Sequence, residues 1–66
     1  MLIIVTSTND SLNGRVLRKK YIKEGDIIKI KTLEGKHKRI KVEYVRKTRT
    51  GYIIKNSNFT LVLKHE

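Results

Sequence analysis

The chain has 66 residues, and its 16 lysines and arginines against six acidic residues give a formal net charge of +10. A chain of this length forms one small domain, residues 1–66, which buries only about 60% of the surface that the unfolded chain exposes and leaves little room for an enclosed active site. The absence of cysteine excludes a disulfide framework and a thiolate metal site.

The composition favours β-structure. The sequence contains no alanine, glutamine or proline, whereas it has nine isoleucines and five valines. Branched residues suit pleated, half-buried surfaces, while alanine and glutamine are good helix formers. The first residues lack the basic start and the long apolar run of a secretory signal, and no apolar run approaches the roughly 18 residues of a membrane span. We therefore expect a soluble, cytoplasmic protein without membrane contact.

The first strand is predicted over residues 1–6, where the run LIIVT is rich in β-branched residues. Asn13-Gly14 is a turn signal, because both residues tolerate positive φ. A second strand is predicted over residues 15–22, although the polar stretch RKK within it leaves a single helical turn as the alternative. The segment KEGD at residues 23–26 then forms a turn.

The centre of the chain has the clearest pattern. Residues 27–33 and 39–46 alternate with period two on either side of the turn at residues 34–36, which predicts an antiparallel hairpin. In its first strand, Ile28 and Ile30 share one face with Thr32, and the other face carries Lys29 and Lys31 with Ile27 and Leu33. In its second strand, the predicted apolar face consists of Ile40, Val42 and Tyr44. Tyr44 is therefore expected in the core.

A basic turn at residues 47–51 leads to predicted strands at residues 52–55 and 59–63, and residues 64–66 are predicted to be a frayed tail. All four glycines fall at predicted turns. Five or six short antiparallel strands separated by frequent turns predict an all-β fold, and at this length a small barrel. The first choice is an SH3-like barrel. An OB-like barrel is the alternative, because that fold usually carries a helix for which this chain has little space.

Basic residues cluster in two parts of the chain, over residues 15–31 and 36–49. A sheet face of lysines flanked by basic turns offers the wide cationic surface that a phosphate backbone needs. We predict nucleic-acid contacts from Arg18, Lys20, Tyr21, Lys29, Lys31, Lys38, Arg39, Lys41, Arg46, Lys47 and Arg49. The alternative is that these cations form solvated outer faces that blunt the strand edges. Tyr21 is the candidate for base stacking, and the small number of aromatic residues predicts weak sequence preference.

The sequence contains no motif typical of an enzyme. Paired carboxylates at acid/base spacing, a Ser-His-Asp set, a glycine-rich phosphate loop and zinc-ligand spacing are all missing. His37 lies in a basic loop with no second ligand nearby in sequence. We therefore predict a protein that is not an enzyme and that has no metal and no cofactor.

The short strands with Gly-Asp turns, such as Gly25-Asp26, resemble SH3-like nucleic-acid-binding barrels, a group that includes chromatin proteins, KOW modules and ribosomal domains. Residues 1–3 together with residues 25–30 are similar to the carbon storage regulators, whose interleaved dimers bind RNA. Residues 14–16 and 22–26 are similar to the swapped-hairpin transition-state regulators that bind DNA. All three resemblances imply a nucleic-acid partner, and none supplies a site residue.

Two functions from different classes follow. The first is a non-catalytic protein that binds the phosphate backbone of DNA or RNA with low sequence specificity. The alternative is an interaction module, such as a phage, plasmid or accessory protein, that docks on an acidic protein partner. Both use the same positive charge, and the oligomeric state is left open.

Overall fold

The computed structural model describes residues 1–66, apart from the side chain of Asp10. Its strands are β1 (Leu2–Ser7), β2 (Gly14–Val16), β3 (Ile27–Thr32), β4 (His37–Lys41), β5 (Tyr44–Lys47), β6 (Gly51–Lys55) and β7 (Thr60–His65). A single 3-10 turn, Asp10–Leu12, lies between β1 and β2. The predicted all-β fold is confirmed, with seven strands because the predicted strand 39–46 divides into β4 and β5.

All seven strands form one antiparallel sheet in the order β4-β3-β2-β1-β7-β6-β5. Strands β1 to β4 make one meander and β5 to β7 another, and the pairing of β7 with β1 joins the two. The sheet curls into a half-barrel. Its two edge strands, β4 and β5, are only two residues apart in sequence, so the edges must approach each other at that point.

This corner is the link between β4 and β5, and backbone pairing on both sides holds it. Val42 N–H donates to Asp26 O (2.8 Å) and Gly25 N–H donates to Val42 O (2.7 Å), while Glu43 N–H donates to Lys55 O (3.0 Å). Before the corner, the even-numbered residues Ile40 and Val42 face the core, but after it the odd-numbered Val45 does. This shift of one residue turns Tyr44 to the opposite face of the sheet. The prediction that Tyr44 lies in the core is therefore wrong, since its ring is 46% exposed.

The core fills the inner face of the curled sheet. It contains Leu2, Ile4, Leu12, Val16, Ile22, Ile28, Ile30, Ile40, Val42, Tyr52, Ile54, Leu61 and Leu63, and Phe59 packs against it. Most of these side chains alternate along strands as predicted, because each strand turns every second residue inward. Leu12, Ile22 and Val42 come from outside the strands, and all three are buried.

The segment between β2 and β3 is neither the predicted strand nor the predicted helical turn. Strand β2 ends at Val16, and Arg18 then takes a left-handed conformation with φ of 53°. A strand cannot continue through that φ, because extended backbone requires a strongly negative value. Residues 17–26 instead run as an irregular connection that returns to the sheet at Ile27.

The end of the chain also differs from the prediction of a frayed tail. Strand β7 continues to His65, whose ring meets the buried Tyr52 ring edge-on with centroids 5.9 Å apart. Glu66 N–H donates to Met1 O at 2.8 Å. Backbone pairing with β1 thus orders the last residues.

Gly51, the last residue of the predicted turn, is instead the first residue of β6. A Cβ there would collide with the carbonyl oxygen of Leu63 on β7 and lie 2.8 Å from its carbonyl carbon. The residue is glycine because two backbones approach closely at this point, which no side chain would allow. Gly35 has φ of 88° in the β3–β4 turn, as a turn glycine should.

Candidate nucleic-acid interface

Five cations lie next to one another on the outer face of β2, β3 and β4. Strand β3 turns Ile28, Ile30 and Thr32 inward, which leaves its lysines on the outer face. The partners of these lysines on β2 and β4 point the same way, because residues directly opposite in an antiparallel pair share a face. We call the set Arg15, Lys29, Lys31, Arg39 and Lys41 the basic ladder.

The strand register sets the geometry of the basic ladder. Lys29 is opposite Arg39, and Arg15 is opposite Lys31. Lys41 is opposite Ile27, two residues along β4 from Arg39. With about 4.8 Å between strands and about 6.6 Å between alternate residues of one strand, the five Cα positions fit a patch of roughly 10 by 13 Å.

The basic ladder forms no ion pair with the acidic side chains that the structure describes. Among the described residues, the ion pairs are Lys19–Asp26 at 3.1 Å and Lys36–Glu34 at 3.9 Å, and neither includes a ladder residue. Two of the cross-strand pairs place like charges directly opposite, an arrangement that destabilises a sheet. Folding stability alone therefore does not account for these residue types at these positions.

The connection between β2 and β3 brings more cations to the side of the ladder. Arg18, Lys20 and Tyr21 are exposed there, and Tyr21 is 74% exposed. The N–H of Leu17 donates to the carbonyl of Lys29 at 2.8 Å, which ties the connection to β3. Arg18 therefore lies close to the ladder, and it lines one cleft together with Lys29.

Asp26 anchors the other end of this connection. Its carboxylate accepts a hydrogen bond from Lys23 N–H at 2.8 Å and lies 3.1 Å from Lys19 Nζ. The Lys23 backbone hydrogen bond, followed by that of Lys19, lowers the pKa of Asp26 below its ordinary value. Asp26 therefore stays ionised in weak acid and neutralises Lys19.

Several predicted site residues lie away from the basic ladder. Lys38 is half-buried opposite Ile30, on the inner-facing side of β4, where its Nζ donates to Ser11 Oγ at 3.3 Å. Its side chain therefore does not share a face with Lys29 and Lys41. Arg46, Lys47 and Arg49 belong to β5 and the turn that follows it, at the other edge of the sheet.

Tyr44 begins this second group, on the outer face of β5. Lys55 on β6 is its cross-strand partner, and the Lys55 Nζ lies 5.5 Å from the Tyr44 ring centroid, a cation–π distance. The aromatic face is thus already covered by a cation of the chain. Tyr21, in the β2–β3 connection, is the more exposed of the two tyrosines.

Two members of the surface were missing from the predicted set. Arg15 enters the ladder through its pairing with Lys31, across a connection of ten residues whose register no local pattern reveals. His37 shares the outer face of β4 with Arg39, because the two are separated by one residue. Extending the period-two pattern of β4 back to residue 37 would have found it.

Comparison of the chain with protein-family models, with curated proteins and with solved structures finds no match. Within the described part of the chain, no group of three or more His, Asp or Glu residues could hold a metal ion. Among the described residues, no helix has the length and apolar character that crossing a bilayer requires.

Proposed function

We propose that this protein is a non-catalytic nucleic-acid-binding module, which holds the phosphate backbone of DNA or RNA on the basic ladder with low sequence specificity. The observation that carries the proposal is the ladder itself, five adjacent outward cations that have no carboxylate partner among the described residues. Phosphate contacts from Lys and Arg release counterions and supply most of non-specific affinity. The self-repulsion of the ladder would be relieved when a polyanion binds.

The proposed partner also agrees with the shape of the fold. A curled antiparallel half-barrel, in which β1 pairs with β7 and β4 and β5 form the two edges, is compatible with an SH3-like barrel. An OB-like barrel is less compatible, since the only helical element is a three-residue 3-10 turn among the described residues. We propose the SH3-like assignment on this basis, and a cytoplasmic location because nucleic acid is the polyanion to which the basic ladder is proposed to bind.

The test is the salt dependence of binding to a labelled 16-base-pair duplex, measured by fluorescence anisotropy. Five phosphate contacts at about 0.9 each predict that log K falls with log salt with a slope of about −4.5 on duplex DNA, and of about −3.5 on a single strand. Between 50 and 200 mM salt, the duplex affinity should fall about 500-fold. A flat response, or no binding at 50 mM salt, would refute the proposal.

Heparin is the competitor that separates this function from docking on an acidic protein. Nucleic acid has a regular backbone that a ladder of fixed spacing can follow, so DNA should compete better than heparin at equal charge. Equal competition, together with recovery of one acidic protein at stoichiometric yield, would favour the interaction module instead.

A further inference from the structure

A cleft of about 380 Å³ lies between the β2–β3 connection and the strands β3 and β4. Its polar lining residues include Arg18, Lys29 and His37, and its apolar lining residues are Leu17, Ile27 and Ile28. Lys19 also lines it, but the Lys19 ammonium is paired with Asp26. No carboxylate of a described residue lines the cleft, so its charge is wholly positive.

The backbone at Arg18 is the second observation that points to this cleft. Arginine rarely adopts the left-handed φ of 53° found here, and such a residue persists only where its surroundings hold it. The residues on both sides of Arg18 supply that hold. Leu17 N–H donates to Lys29 O at 2.8 Å, and Lys19 pairs with Asp26 at 3.1 Å. The backbone of Arg18 is therefore held at the cleft by its two neighbours.

We propose that this cleft binds a phosphate monoester carried by a nucleotide, with the phosphate between Arg18, Lys29 and His37. A monoester carries a charge of about −1.5 to −2 at neutral pH and has three strong acceptor oxygens, whereas a backbone phosphate carries one charge. Arginine can donate two parallel hydrogen bonds to such a group, and lysine adds a point charge. Leu17 and Ile27 offer apolar surface to the sugar or the base, and the volume lies in the range of small-ligand pockets.

This inference goes beyond the proposed function, because the ladder needs only backbone phosphates while the cleft takes the end of a strand or a free nucleotide. The two sources of the monoester are separated by the ligands tested. One arm titrates the protein with inorganic phosphate and with a nucleoside monophosphate, followed by amide NMR shifts. The other compares short oligonucleotides that carry a phosphate or a hydroxyl at the 5′ or the 3′ end.

The expected result in the oligonucleotide arm is about tenfold tighter binding when one end carries a phosphate, from the added charge-assisted hydrogen bonds. In the first arm, the nucleoside monophosphate should shift the amides of residues 17–19, 29 and 37 and should bind more tightly than inorganic phosphate. If terminal phosphates change nothing and the nucleoside monophosphate does not bind, the inference fails while the ladder function stands. If the nucleoside monophosphate binds but oligonucleotides do not, the inference stands and the ladder function fails.

The decisive variant is Arg18→Gly. Glycine adopts the left-handed φ freely, so the variant should be as stable as the parent protein or slightly more stable while it loses the tenfold preference. Arg18→Lys keeps the charge but not the two-pronged donor and should retain only part of the preference. Lys64→Gln, on β7, removes one charge elsewhere and should keep the preference intact. If Arg18→Gly keeps the preference, or if Lys64→Gln loses it equally, the cleft is not the monoester site.

Discussion

Removal of one charge from a facing pair of the basic ladder gives the sharpest test of the proposed interface. Lys29 and Arg39 are opposite each other on β3 and β4, so Lys29→Gln and Arg39→Gln each delete one outward cation at the centre of the patch. Each lost phosphate contact should reduce the steepness of the plot of log K against log salt by about 0.9. If parent and variant bind equally at 1 M salt, where electrostatic attraction is screened, this change of slope predicts a difference in affinity at 0.1 M salt. The expected loss is about eightfold for each single variant and about 60-fold for the double variant.

The assay is anisotropy with one duplex at four salt concentrations, with folding checked by thermal melting. Neither variant should be less stable than the parent protein, because each removes a like-charge pair from the sheet surface. Lys64→Gln is the matched control, since Lys64 lies on β7, four strands from Arg39 in the sheet order. At about 4.8 Å per strand, Lys64 is about 14 Å from the strand of Lys29 and about 19 Å from that of Arg39 along the sheet, beyond the screening length of about 10 Å at 0.1 M salt. Its nearest ladder neighbour is Arg15, which pairs with the other side of Ile3 and is unchanged in both variants. Equal losses for Lys64→Gln and Lys29→Gln would mean that net charge, and not the ladder, determines affinity.

Three further predictions concern the scaffold. Leu61→Ala, at a fully buried position, should lower the free energy of unfolding, measured in urea, by about 2 to 4 kcal/mol. Similar losses are expected for Ile30→Ala and Val42→Ala. A loss below about 1 kcal/mol would contradict the core assignment. Gly51→Ala should cost about 1 to 3 kcal/mol and expose the amide of His65 to hydrogen exchange, because the added Cβ forces β6 and β7 apart where His65 N–H donates to Thr50 O. The lowered pKa of Asp26 means that its ionised form stabilises the fold. That stabilisation is complete above the unfolded value of about 3.9 and is lost as pH falls through the lower folded value, so Asp26→Asn should flatten this part of the acid-unfolding curve.

The β3–β4 hairpin was predictable because all its determinants are local. Period-two alternation, a Glu-Gly turn and β-branched residues lie within about 20 residues, and the two strands begin within two residues of the predicted positions. The same alternation correctly separated Ile28 and Ile30 from Lys29. It also places Lys38 in phase with Ile40, on the inner-facing side of β4, and applying it strictly would have removed Lys38 from the predicted outer surface.

The corner at Val42 and Glu43 was not predictable, because its determinants are distant in sequence. Val42 pairs with the turn at Asp26, and Glu43 pairs with Lys55. The alternation of residues 39–46, taken alone, predicts one continuous strand with Tyr44 in the core. The change of phase by one residue arises because Val42 and the next residue, Glu43, form backbone hydrogen bonds with different parts of the chain, so the strand bends between them. The position of Arg15 beside Lys31 depends in the same way on a non-local register.

The basic ladder is where the stability of this domain and its affinity for a polyanion oppose each other. With a net charge of +10, the folded chain repels itself, and like charges held at cross-strand positions concentrate that repulsion. A bound phosphate backbone removes the repulsion and stabilises the folded state through linkage. Neutralising a ladder residue should therefore raise the stability of the free protein and lower its affinity. A lysine that merely solvates a strand edge would change neither quantity, so the opposite signs of the two effects identify the residues that bind.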